Sequence, residues 1–244
     1  MFRVLKSELY KSNRLGTYII NAIIVLGILL LALLTKDNGI KEHGLFFLTD
    51  IAFSMLPLFL LVYVPYFFED NKYDTLKNSV SSSISKWEIY LGKFLNQIIL
   101  LIISIIVALV SFVIIINIFN IAGNDQVNNM ILIIKKLFIS FPVYISLLAL
   151  YDLVVSLFKK EGLAIFICVI VINAVNVLST LIDYYCGKIA QEITPYILTN
   201  PLNPLISNNS ITNDALNRCL IGGGISLIIY LAIGVAIFNK RDVK

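Results

Sequence analysis

Long apolar runs alternate with short polar stretches along the chain. Six runs are long enough to read as membrane spans: Thr17–Thr35, Leu45–Phe68, Asn96–Phe119, Leu137–Phe158, Leu163–Ile182 and Leu220–Phe238. Roughly 20 mostly apolar residues in a helix cover the hydrocarbon core. Inside each run the apolar residues are continuous and do not alternate, which predicts helices and not the strands of a barrel. The expected fold class is an all-α membrane protein with six transmembrane helices in one unit, residues 1–244. The first run is longer than a secretory h-region and no small-x-small cleavage site follows it, so it reads as a span of the mature chain.

The polar stretches have patterns of their own. At the N-terminus, Phe2, Leu5, Leu9 and Tyr10 form an apolar stripe, with Arg3, Lys6, Lys11 and Arg14 elsewhere. This predicts an interfacial helix over residues 1–16, lying in the headgroup region with its basic side chains toward anionic lipid. Residues 69–93 make the longest loop expected on the cytoplasmic side. There Asp74 can cap a short helix from Thr75, and the serines at 79 and 81–83 end it. Ser85 followed by Glu88 fits a capping box, so a second helix should start at Lys86 and run into the third span. Trp87 and Tyr90 fall where amphipathic aromatics favour the interface. Asn120 to Met130 reads as an external turn, and Lys159 to Gly162 as a tight internal one. Residues 183–218 are too broken by Pro195, Pro201 and Pro204 to span, yet too apolar for a solvated loop; short external re-entrant helices fit best. Gly222–Gly224 would let another helix approach closely at the start of the sixth span.

Composition agrees with the pattern. Hydrophobic residues make up 59% of the 244 and charged residues 14%, against about 25% charged in a soluble domain. Charge adds an orientation. With the N-terminus inside, the cytoplasmic segments hold thirteen of the 19 basic residues and the external segments six. Basic residues accumulate on the cytoplasmic side, so both termini are expected there. The net charge of +4 is then a topology mark and not one of nucleic-acid binding. Lys135 and Lys136 fit least well, since they would have to snorkel at the outer mouth of the fourth span.

Candidate chemistry is sparse. Charge inside a span points to function because it is costly there. Asp50 lies early in the second run and Asp152 toward the cytoplasmic end of the fourth. Asp152 reads either as a proton or cation site or as a carboxylate near the interface, hydrated or paired with a lysine. Asn173 and Asn176 share a helical face and can bond a neighbouring helix. The cysteines are Cys168, Cys186 and Cys219; the last two flank the external segment, where they would be either bridged or free thiols. His43 is the one histidine, and no His-Glu-x-x-His, Gly-x-Ser-x-Gly or Gly-x-x-x-x-Gly-Lys-Ser/Thr pattern occurs. No metal, cofactor or catalytic residue is therefore expected in the chain; it reads as a non-enzyme.

The loop carries a resemblance. Phe-Phe-Glu-Asp-Asn-Lys-Tyr-Asp-Thr-Leu-Lys-Asn at 67–78, then Ser-Lys-Trp-Glu-Ile-Tyr-Leu-Gly-Lys at 85–93, resembles the first cytoplasmic loop of ABC-2 type transporter permeases. That family commonly shows an acidic residue, Gly-Thr-Leu-Lys/Arg, then Ser-Arg/Lys and Gly-Lys leading into span three; Asp74 stands here in place of the glycine. The layout resembles the family from end to end. The resemblance implies a bacterial cytoplasmic-membrane permease subunit, with ATP bound by a separate ABC ATPase subunit. Asp74, Thr75, Leu76, Lys77 and Asn78 would lie in the coupling helix that docks on that ATPase. A second permease chain, identical or related, would complete the pathway. The cargo implied is hydrophobic or amphipathic, as in small permeases of antimicrobial-peptide export and of lantibiotic or bacitracin immunity. Two other readings stay open: an ion-coupled carrier using Asp152, and a membrane sensor or assembly factor that transports nothing.

Overall fold

The computed structural model describes residues 2–12, 15–37, 44–72, 84–119, 126–158, 160–185, 187, 192–207 and 211–240. Among these no strand occurs. The principal helices are α1 (Phe2–Ser12), α2 (Leu15–Asp37), α3 (Gly44–Phe59), α4 (Val64–Lys72), α5 (Lys86–Phe119), α6 (Gln126–Leu157), α7 (Glu161–Tyr185) and, after a broken stretch, α10 (Gly223–Lys240). The stretch before α10 holds 3₁₀ turns at Thr194–Tyr196 and Asn200–Leu202, short helices α8 (Asn203–Ser207) and α9 (Asn213–Asn217), and a π turn at Arg218–Gly222.

Among the described residues, four helical segments are long and apolar enough to cross a membrane: Lys86–Ile115, Met130–Leu157, Glu161–Ile182 and Asn213–Lys240. α1 and α2 meet at a 59° bend and make a fifth if the pair counts as one broken span. The chain is thus an all-helical protein with the helices of a membrane-embedded one. Apolar side chains on the outer faces, such as Ile106, Val110, Phe166, Ile170 and Ile228, are exposed as lipid-facing residues are.

α6 is the centre. Its candidate span is 44% buried, against 17–22% for the other three, and Val143 to Val155 is buried with few exceptions. α10 packs along it, with α3, α4, α5 and α7 around the rest. α6 starts at Gln126, inside the stretch expected to be a turn, and so takes in Lys135 and Lys136. Lys136 does not snorkel: it is buried and interacts electrostatically with Asp50.

The run Leu45–Phe68 is not one helix. A 3₁₀ turn at Leu60–Tyr63 separates α3 from α4. The cause is Pro65, which has no N–H for the Leu61 carbonyl four residues back and whose ring crowds that carbonyl. The Val64 N–H takes the Leu61 oxygen instead, in the tighter 3₁₀ pattern. Pro57 removes a second bond one side of the break.

α5 begins as the capping box predicts. The Ser85 N–H donates to the Glu88 carboxylate at 3.3 Å and the Ser85 hydroxyl at 2.8 Å. α1 lies on the first turns of α5. Val4, Glu8 and Ser12 face inward, the Ser12 hydroxyl donates to Asn96 Oδ1 at 3.2 Å, and a Cβ on Gly92 would fall 2.6 Å from the Val4 side chain. Tyr10 lies on the opposite face and is 85% exposed.

Candidate functional site: a buried polar brace

Three side chains from other helices reach backbone carbonyls of the second run in the core. Tyr151 of α6 donates its hydroxyl to the Pro57 oxygen at 2.6 Å. Gln97 of α5 donates Nε2 to the Tyr63 oxygen at 3.2 Å. Lys93, one turn earlier on α5, donates Nζ to the Phe67 oxygen at 2.8 Å and stands 5.2 Å from the centre of the Phe67 ring. All three donors are buried. A carbonyl oxygen has two lone pairs and can take such a donor beside a helix bond, a net gain of about 0.5–1.5 kcal/mol each.

Asp152 anchors the set. It is fully buried, and its Oδ1 accepts the Gln97 amide at 2.9 Å. The Lys93 charge acts on the same carboxylate. Oδ2 of Asp152, Oε1 of Gln97 and the Tyr90 hydroxyl have no hydrogen-bond partner among the described residues. Tyr90 is locked by Phe67 and Phe238, with ring centroids 5.4 and 5.6 Å away. Asp152 is thus sealed in the core and feels the Lys93 charge.

Asn173 and Asn176 belong to a second place. A cleft of about 240 Å³ opens between α3, α7 and the broken stretch before α10. Asn176 Oδ1 accepts the Thr199 hydroxyl at 2.7 Å, tying α7 to that stretch. Asn173 bonds within its own helix, Nδ2 to the Val169 oxygen at 2.8 Å. The two amides share the cleft and do not meet Asp152. Asp74, Thr75, Leu76, Lys77 and Asn78 lie outside the described residues, as do His43 and Cys186. Cys219 is a buried free thiol whose S–H donates to the Pro201 oxygen at 3.2 Å, so it forms no bridge with Cys186.

Sequence reading singled out Asp152 and missed Lys93, Gln97 and Tyr151 as its companions. Lys93 and Gln97 stand four apart in the first turns of α5, a spacing that puts them on one face. Among the described residues no group of acidic, histidine and cysteine side chains is arranged to hold a metal. No protein-family model matches the chain, and no curated protein matches it.

Proposed function

We propose that the chain is the transmembrane subunit of an ATP-driven ABC exporter, with ATP hydrolysis on a separate subunit. In this reading α3 and α4 together make a broken second span, α1 is the interfacial helix, and six spans place both termini in the cytoplasm. Asp74–Asn78 then form the coupling segment, and the cleft beside Asn173 and Asn176 offers amide groups to an amphipathic cargo such as an antimicrobial peptide. A second permease chain completes the pathway.

The observation that supports the reading is that α4 and α5, the helices on either side of residues 73–83 in sequence, are tied together by Lys93 to Phe67 and by Gln97 to Tyr63. α5 then continues unbroken for 34 residues, about 50 Å at 1.5 Å per residue. A push on the segment would travel along α5 as a rigid body and reach α6 through Asp152.

The test is purification of the full chain from its native membrane in mild detergent. A stoichiometric ATPase is expected to accompany it. Leu76→Asp should cut that recovery roughly tenfold or more, the effect of about 1.4 kcal/mol of lost docking energy. A chain that purifies alone, and whose transport is abolished by Asp152→Asn and follows an ion gradient, would move the assignment to an ion-coupled carrier. Oδ2 of Asp152, buried and without a hydrogen-bond partner among the described residues, is the observation favouring that second reading.

A further inference from the structure

α7 packs on α6, on α4 and on the turn at Thr194–Tyr196, and its two faces differ. Ala164, Cys168, Ile172 and Ser179 are buried. On the other side Phe166, Ile170, Asn173, Val177, Thr180 and Tyr184 are all exposed. These six follow one another at alternating steps of four and three, the heptad spacing of a helix that pairs with a second helix. The surface between Ile170, Asn173, Ala174 and Val177 is concave, and a residue as small as Ala174 lets another backbone come close.

Lipid alone would satisfy the apolar members of this seam. Asn173 is the exception. It stands near the middle of the candidate span Glu161–Ile182. One N–H of its exposed amide is used inside the helix, on the Val169 oxygen at 2.8 Å. Its Oδ1 and second N–H have no partner among the described residues. Thr180 differs, since its hydroxyl is on the Asn176 oxygen at 3.0 Å. Hydrocarbon offers an amide nothing to bond, so free amide groups at this depth are costly. One free acceptor and one free donor complement the same two groups on another copy of the chain. Copies inserted in the same direction pair about a two-fold axis along the membrane normal. Their α7 helices then run parallel, and each seam position faces itself. A single polar residue in an otherwise apolar seam also fixes the register of the pair.

We propose that this face of α7 is the contact through which two copies of the chain pair in the membrane, with Oδ1 of each Asn173 accepting Nδ2–H of the other. The proposal deepens the reading above, in which a second permease chain completes the pathway: that chain is identical, and α7 is where it docks. Asn176, bonded to Thr199 beside the cleft, takes no part in the seam. The contact needs no ATPase. Failure to recover one would unseat the exporter reading and leave the pair in place.

Cysteine crosslinking of the full chain in its membrane tests the face. Ile170→Cys and Val177→Cys lie on the seam; Ile106→Cys on α5 and Ile228→Cys on α10 are controls, and all four positions are exposed. A disulfide needs Cβ atoms about 3.5–4.5 Å apart, which equal positions reach beside a two-fold axis. Mild oxidation should therefore bridge the seam variants several-fold more than the controls, giving a product of twice the chain's mass. The amide pair is read by energy transfer between labelled copies as they are diluted in lipid. Asn173→Val keeps the face and removes the amide; the dissociation constant should rise roughly tenfold, equivalent to about 1.4 kcal/mol. Crosslinking no stronger at Ile170 and Val177 than at Ile106 and Ile228 would overturn the proposal. So would a dissociation constant that Asn173→Val leaves unchanged. A crosslinked product of any other mass would put a different partner on this face and overturn it too.

Discussion

Gly223→Ala should destabilise the protein by about 1–3 kcal/mol, the range for forcing extra atoms into a packed core, while Gly224→Ala should be neutral or stabilise it by up to about 1 kcal/mol. The two glycines are neighbours of the same type in the same stretch, and sequence alone gives no reason to separate them. The surroundings do. A Cβ on Gly223 would stand 2.8 Å from both the Pro142 carbonyl carbon and the Val143 nitrogen, which are backbone atoms of α6 and cannot turn aside. A Cβ on Gly224 would meet nothing within 4 Å. Alanine there gains helix propensity without a clash. Thermal melting of the detergent-solubilised chain reads both. Equal melting points for the two variants would mean that α10 does not pack on α6 at this depth.

Asp152→Leu is the second large effect, a loss of about 3–5 kcal/mol, as expected when one member of a buried charged cluster is removed. The substitution leaves Gln97 without its side-chain acceptor and leaves the Lys93 charge, 2% exposed, without the carboxylate beside it. Asp152→Asn retains an oxygen for Gln97 and should cost clearly less. Lys93→Met added to Asp152→Leu should recover part of the loss, because two apolar groups replace a buried charge and its partner. Fully additive losses in the double variant would show that Lys93 and Asp152 are energetically independent.

How much of this was legible in the sequence depends on the range of each interaction. Ser85 and Glu88 are three residues apart, and their contact was readable because capping is local. The close approach at Gly222 and Gly223 was readable as a tendency, but not that Gly224 would be left open. The break at Leu60–Tyr63 was written in Pro57 and Pro65, yet an apolar run conceals it from a reading that counts hydrophobic residues. Asp152 stood out by its charge. Its partner Gln97 is 55 positions away, and nothing local joins them. The packed face of α1 was not legible: Ser12 is buried where Asn96 of α5 accepts its hydroxyl, and Glu8 is buried in an ion pair with Lys11 of its own helix.

The polarity of α6 has a consequence for biogenesis. Its span carries Lys135, Lys136 and Asp152 and has the lowest mean hydropathy of the four long candidates, 2.0, whereas that of α5 is 3.5. A lysine or aspartate costs the translocon about 2.5–3.5 kcal/mol at a span's centre, and these three, toward the ends, each cost a part of that. The helix that becomes the centre of the finished molecule is thus a poor recruit to the bilayer by itself, and α10, which packs along it, is synthesised later. Gln97 and Lys93 already stand on α5 when α6 leaves the ribosome, ready to take its carboxylate. α6 tested alone in an insertion assay should enter membranes less efficiently than α5 alone, and less than α6 preceded by α5.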